Sequence, residues 1–298
     1  MTKTLIVITG PTAVGKTSVA IELAKKLKTE IVSADSRQFY REMAIGTAKP
    51  NETELSQAKH HFINSHSITE NFSVGDFEKQ GLELLDKIFQ TNDTALLVGG
   101  SGLFIKAICE GFDELPFASA EIRDRLNQEF HNNGLAFLQE KLKSADLVYY
   151  QQVDLNNPQR LIRALEVTES TGKPFSSYRK ATINERPFRF IKIGLNLSRE
   201  ILYHRINQRV DEMIKQGLVE EVRSLLPYRH FNALNTVGYS ELFDYFDGKT
   251  GLETAIELIK QNTRRFAKRQ LTWFRKDKDI KWEMADDPAL IDSILNEL

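Results

Sequence analysis

Gly10-Pro11-Thr12-Ala13-Val14-Gly15-Lys16-Thr17 stands directly behind the apolar run TLIVIT. A glycine, four free positions and then Gly-Lys-Thr is the pattern of a phosphate-binding loop. The glycines let the backbone curl so that successive N–H groups converge on one anion. The start of a following helix adds its dipole. Lys16 brings a full positive charge, and the Thr17 hydroxyl can hold a Mg²⁺ that bridges phosphate oxygens. The pattern alone does not separate ATP from any other diphosphate ester.

Two further stretches carry groups that could act on a bound phosphate ester. Asp35 opens DSRQFY behind the apolar run EIVSA, where a carboxylate can bind metal or act as a general base. Asp is also a common turn residue. Gln38, three residues on, has an amide suited to the edge of an adenine. The run TALLV ends in Gly99-Gly100-Ser101-Gly102. A P-loop ATPase usually places a magnesium-holding Asp after such a strand, and no carboxylate stands here. Gly99 and Gly100 fit a tight turn or a close approach to a ligand equally well; the Ser101 hydroxyl favours a ligand.

These residues need a frame that brings them together. Residues 4–9 read as a buried strand, and residues 15–28 as a helix with Val19, Ala20, Leu23, Ala24 and Leu27 at helical spacing. Residues 73–89 form an amphipathic helix, with Ser73 and Asp76 at capping-box spacing. Alternating strands and helices predict an α/β fold: a P-loop NTPase-like parallel sheet flanked by helices, with ligands at the carboxyl ends of its strands. From residue 114 to 187 the sequence reads as helical, without a strand. It forms an insertion between a core of residues 1–113 and 188–298. RFIKIGLNL (residues 189–197) returns to the sheet. Helices follow at 199–215, 218–226 and 251–276.

Composition narrows the class. The chain has 298 residues, 41% of them apolar and 27% charged, with a formal net charge of −1. That is ordinary globular composition, so an RNA site must come from local clustering. The last long helix carries such a cluster: Arg264, Arg265, Lys268, Arg269, Arg275, Lys276 and Lys278. Its apolar stripe reads as Ile256, Ile259, Phe266 and Phe274. The basic face is either solvated or in contact with RNA phosphate. Arg160 and Arg163 share a face of one helix, and Arg205 and Arg209 share a face of another. Adjacent His60 and His61 diverge on any regular element, which fits packing or a hydrogen bond better than a metal. Cys109, the single cysteine, reads as a buried thiol and fits a reducing cytosol. No run approaches the ~18 apolar residues of a membrane span.

The motifs taken together resemble those of the bacterial tRNA dimethylallyltransferase family. They are GPTAVGKT, DSRQFYREMAIGTAKP, HHFI, FSVGDF, LLVGGSGLFIKA, NNPQRLIRALEV, VGYSE and AKRQLTWFR, in family order over residues 10–275. The resemblance implies transfer of a dimethylallyl group from dimethylallyl diphosphate to the exocyclic amine of the adenine 3′ of the tRNA anticodon. The adenine would be flipped into a channel through the core, and the donor would enter from the other end. It further implies that residues 12–17 hold the diphosphate with Mg²⁺, and that Asp35 accepts the amine's proton. Ser101 would bind the leaving oxygen, and Arg209 would help neutralise the diphosphate. Contacts with the tRNA anticodon stem-loop would come from Asp35, Ser36, Arg37, Gln38 and Ser101. Further contacts would come from Arg123 and from Gln159, Arg160, Leu161, Ile162 and Arg163. A cytoplasmic monomer is implied. Two positions depart from the family pattern: Ser101 where Thr is usual, and Phe104 where Tyr is common. The competing readings are a P-loop small-molecule or nucleotide kinase and an RNA-binding regulatory NTPase.

Overall fold

A computed structural model describes residues 2–113, 115–116, 119–179 and 184–298. Six parallel strands form one sheet: β1 Thr4–Thr9, β2 Ile31–Ser33, β3 His60–His61, β4 Thr94–Gly99, β5 Arg189–Asn196 and β6 Lys281–Met284. Their order across the sheet is β3-β2-β4-β1-β5-β6. β1 is central, with β4 on one side and β5 on the other. All six residues of β1 are buried, which is why its sequence is continuously apolar apart from Thr rather than alternating. Its side chains still divide by face. Ile6 and Ile8 pack with Val19, Leu23, Leu202 and Ile206, while Leu5 and Val7 pack with Phe77, Leu85, Ile105 and Ile108. Each such side chain removed from water is worth about 1.5–3 kcal/mol.

The helices form where the pattern predicts them. Lys16–Leu27 follows the phosphate loop directly. Val74–Thr91 opens on a capping box in which Ser73 Oγ accepts from the Asp76 N–H and Asp76 accepts from the Ser73 N–H. Gly102–Glu110, Arg199–Lys215, Leu218–Ser224 and Leu252–Phe274 complete the expected set around the sheet. β3, β6 and the helix Tyr239–Phe246 are additions that the sequence reading lacks.

The chain packs as two compact units, Met1–Glu110 with Glu185–Leu298, and Gly111–Asn184. The expected boundary at Glu114 and the expected helical Phe117 and Ala118 lie outside the described residues. The second unit is built on Ala120–Ala145, broken at Gly134 by a φ of 75°, and on Pro158–Thr171. Leu126, Leu138, Leu142, Leu161, Ile162 and Leu165 form its core. Asn157 Oδ1 accepts from the Arg160 N–H, with Pro158 opening the helix.

Candidate active site

Strand order explains why three distant stretches meet. β2, β4 and β1 are consecutive neighbours in the sheet, and the loops after all three emerge at their carboxyl ends. The phosphate loop follows β1, Asp35 follows β2, and Gly100-Ser101 follows β4. One cavity is lined by Lys16, Thr17, Asp35, Gln38, His60 and Gly99, among others.

The phosphate loop has the backbone that an anion cradle needs. Gly15 has φ 109° and caps the helix Lys16–Leu27. Ala13 sits at φ 66°, a left-handed conformation costly for a residue with a Cβ. Lys16 Nζ donates to the Gly10 and Pro11 carbonyls at 3.0 and 2.8 Å. Burial lowers its pKa to about 8; Asp35 works against this shift and Arg209 adds to it. Arg205 donates to the Val14 carbonyl at 3.3 Å. Burial also lowers the pKa of the Arg209 guanidinium, with nearby Arg205 acting in the same direction. Lys16, Arg205 and Arg209 thus concentrate positive charge around the loop, opposed by the carboxylates of Glu54 and Asp35.

Asp35 Oδ1 accepts from the Arg37 N–H at 3.1 Å, which shapes the turn. Ser101 Oγ accepts from the Ser36 N–H at 3.0 Å and lies 3.2 Å from Ser36 Oγ. Gln38 Nε2 donates to the Thr47 and Ala48 carbonyls. Arg37 reaches the Asn235 carbonyl at 3.3 Å. A Cβ on Gly99 would stand 2.2 Å from the Ala34 carbonyl oxygen, so no side chain fits at the end of β4. Backbone packing between the loops therefore accounts for Gly99. Phe104 packs against Phe39 and Phe77, with ring centroids at 5.4 and 5.2 Å.

His60 Nδ1 lies 2.8 Å from the Ala58 carbonyl, and His61 Nε2 lies 2.5 Å from Glu30. Cys109 is buried, and burial pushes its thiol up to about 12. Both settings are those of packed, hydrogen-bonded or inert groups.

The long basic helix corrects one expectation. Its buried face is Ala255, Ile259, Ala267, Gln270 and Phe274. Phe266, read from the sequence as part of the core stripe, is 39% exposed, and Trp273 is 41% exposed. Both share the solvent side with Arg265, Lys268 and Arg269. Lys260 pairs with Asp211 and Glu257. Among the described residues, none of Arg265, Lys268, Arg269, Arg275 or Lys276 forms a salt bridge. Arg264 is different: it bonds Asn207 Oδ1 at 2.6 Å and lies over the Tyr203 ring.

In the second unit, Arg123 and Arg163 both bond the buried carboxylate of Glu166, at 3.3 and 3.2 Å. Gln159 and Arg160 are exposed. Leu161 and Ile162 are fully buried, and their side chains pack in that unit's core.

Gln270 is the site residue that the sequence reading missed. Its side chain bonds both the phosphate loop and Gly100. It lies within the AKRQLTWFR motif, but nothing in that stretch points to its partners; only the fold brings residues 258 and 170 positions apart to one amide.

Residues 38–277 match the family model described as IPP transferase. A tRNA dimethylallyltransferase of Christiangramia forsetii is 57% identical over 287 residues, covering 96% of this chain and 95% of that protein. One from Flavobacterium johnsoniae is 51% identical, covering 94% and 93%. The crystal structure of a full-length tRNA isopentenylpyrophosphate transferase from Bacillus halodurans superposes with a TM-score of 0.72 at 37% identity, covering 99% of this chain and 95% of that one. A eukaryotic dimethylallyltransferase seen acting on tRNA gives a TM-score of 0.77 at 25% identity, covering 99% and 77%.

Proposed function

The chain belongs to the IPP transferase family, that of the tRNA dimethylallyltransferases, and from this premise we propose the reaction that its site performs. A dimethylallyl group passes from dimethylallyl diphosphate to the exocyclic amine of the adenine 3′ of the anticodon. The observation that carries this reading is the meeting of phosphate loop, Asp35 and Ser101 at adjacent strand ends, with no room for an ATPase-type acid at Gly99, the last residue of β4.

The amine is a weak nucleophile, because its lone pair is delocalised into the purine. The allylic carbon of the donor tolerates positive charge. A bond forms from nitrogen to that carbon as the carbon–oxygen bond breaks, and the diphosphate leaves with the electron pair. Phosphate-loop N–H groups and Lys16 meet the charge that develops on the leaving group. Arg209 adds to that field. Ser101 turns its hydroxyl from Ser36 to the leaving oxygen. Asp35, which lines the same cavity, takes the proton released by the amine.

Mg²⁺ fits this site in one way. Among the described residues no group of three His, Cys, Asp or Glu side chains could cage a metal. The Thr17 hydroxyl offers one hard oxygen, leaving the other ligands to phosphate and water. When bound there, Mg²⁺ supplies positive charge to the departing diphosphate.

Asp35, Ser36, Arg37 and Gln38 contact the tRNA around the target base. Arg123, Gln159, Arg160 and Arg163 contact it from the second unit. The exposed basic and aromatic face of Leu252–Phe274 supplies further phosphate contacts. Unstacking the base costs a few kcal/mol, which these contacts offset. Among the described residues no helix is long and apolar enough to cross a membrane. The cytoplasm, where the tRNA is found, is the setting that this reading assigns, with the enzyme acting as a monomer.

The test is incubation with labelled dimethylallyl diphosphate and bulk tRNA, followed by nucleoside analysis. Label in isopentenyladenosine is the expected result. ATP-dependent phosphoryl transfer without such label would favour a kinase instead. Nucleotide-dependent RNA affinity without any modified product would favour a regulatory NTPase.

A further inference from the structure

We infer that Gln270 is a positioning residue: its side-chain amide fastens the phosphate loop to the loop that carries Ser101. Gln270 Oε1 accepts from the Thr12 N–H at 2.8 Å, and Gln270 Nε2 donates to the Gly100 carbonyl at 2.9 Å. The first partner can only donate and the second can only accept, so the orientation of the amide is fixed by its neighbours. The side chain is 6% exposed, and at such burial an unmatched polar group is costly. A Cβ on Gly100 would stand 2.3 Å from Gln270 Nε2 and 3.7 Å from Lys16 Nζ. The glycine therefore keeps open the space that the amide and the lysine share.

The contact reaches further along both loops. Thr12 is the third residue of the phosphate loop, and holding its N–H on Gln270 sets the curvature with which the following amides face the cavity. On the other side, Gly100 precedes Ser101, whose own N–H and hydroxyl bind Ala34 and Ser36 beside Asp35. Without the amide, the anion cradle and the Ser101 loop can move independently. Glutamine is the natural side chain that gives one donor and one acceptor at this reach. Ionised Glu offers acceptors only and would face the Gly100 carbonyl with like charge. Met has a similar length and no amide.

This inference rests on the reaction proposed above, so its test has one arm that needs no reaction. Binding of inorganic diphosphate is measured by calorimetry for the full chain, alongside steady-state transfer with donor and tRNA varied separately. For Gln270→Met the expected result is diphosphate affinity and kcat each lower by ~10–100-fold, as for misplaced reacting groups, with tRNA affinity unchanged. Gly100→Ala expels the amide from the other side and should give the same losses. The double variant should lose no more than either single one, because one contact has been removed twice. Gln270→Glu adds a pH signature. Once protonated, its carboxyl again presents one donor and one acceptor, and burial raises its pKa. Its rate relative to wild type should therefore recover as pH falls from about 8 to about 6.

A residue needed only for stability would lower the unfolding temperature and leave kcat and diphosphate affinity per folded molecule unchanged. That result overturns the inference, as does a Gln270→Glu ratio independent of pH. If Gln270→Met does not fold, Gly100→Ala and Gln270→Glu decide on the same criteria. Wild type that binds diphosphate but transfers nothing would sink the proposed reaction, while the binding arm still reports on Gln270.

Discussion

At the scale of single residues, Asp35 and Lys16 give the sharpest expectations. Asp35 stands just past the end of a strand, partly open to the cavity, so Asp35→Asn should fold normally. The amide keeps the size and the acceptor that binds the Arg37 N–H, but it cannot take a proton. Transfer in a single turnover should slow by ~10²–10⁴-fold, the usual cost of a lost general base, with donor affinity little changed. A rate within threefold of wild type, roughly 0.7 kcal/mol, would remove Asp35 from the chemistry. Lys16 predicts a pH dependence. Its pKa is about 8 against 10.5 for the unconstrained side chain, because burial disfavours the charged form. Below the folded pKa the lysine is cationic and attracts diphosphate. As pH rises through about 8 the charge is lost, so donor affinity should fall. Near that pH, binding should take up protons, since an anion raises the pKa that it senses. Calorimetry in two buffers of different ionisation enthalpy measures the uptake, and Lys16→Arg should abolish it. The sign for stability is separate. Between the folded and unfolded pKa values the unfolded chain binds the extra proton, so this group's contribution to stability rises with pH over that window.

At the scale of elements, the basic helix Leu252–Phe274 presents one buried and one exposed face. Its solvent face holds Arg265, Lys268, Arg269 and Trp273, while Arg264 is tied to Asn207 and Tyr203. Charge reversal therefore belongs at Arg265 and Arg269, since reversing Arg264 would also break packing. The double change to Glu should weaken tRNA binding and flatten its salt dependence, by about one unit of log–log slope for each lost phosphate contact. An unchanged slope would leave this face merely solvated. A second element-scale device is the loop after β2. Glu221 accepts from the N–H groups of Ala44, Ile45 and Gly46 and from Tyr239 Oη, at 2.6–3.0 Å. That loop supplies the Thr47 and Ala48 carbonyls that hold Gln38. Glu221→Ala should cost ~2–4 kcal/mol in equilibrium unfolding, because several donors lose one acceptor. The sequence made the phosphate loop, the main strands and the capped helices legible, since each is specified by neighbours a few positions apart. It did not reveal β3, only two residues long, or the short edge strand β6 with its exposed Lys281 and Met284. Phe266 was misjudged because helical spacing gives a period but not which side of it meets the core. Glu221 and Gln270 act on backbone groups far away in sequence, and no local pattern announces such partners.

At the scale of the whole molecule, the net charge of −1 conceals a segregated distribution. Unpaired cations gather on one helix face, and three more surround the phosphate loop, while many acidic residues are spent in ion pairs elsewhere, such as Glu129 and Glu169 with Lys141. The sheet order turns this into ligand choice. Because β4 lies between β1 and β2, whatever follows β4 must stand between the phosphate loop and Asp35. In a P-loop ATPase the neighbouring strand brings an acid to the metal. Here the end of β4 is pressed onto the Ala34 backbone, where even a Cβ has no room. The acid cannot be restored at that position without pushing two strands apart. A phosphate loop without that carboxylate can hold a diphosphate, but it lacks the group that completes nucleotide hydrolysis. ATP should therefore be a poor substrate, with or without tRNA. The check is steady-state ATP hydrolysis beside dimethylallyl transfer in the same preparation. Transfer should proceed, and ATP turnover should stay far below the order of 1 s⁻¹ of a working kinase. ATP turnover at that rate, stimulated by RNA, would mean that Asp35 serves the metal from β2, and the phosphate loop would then be a nucleotide site after all.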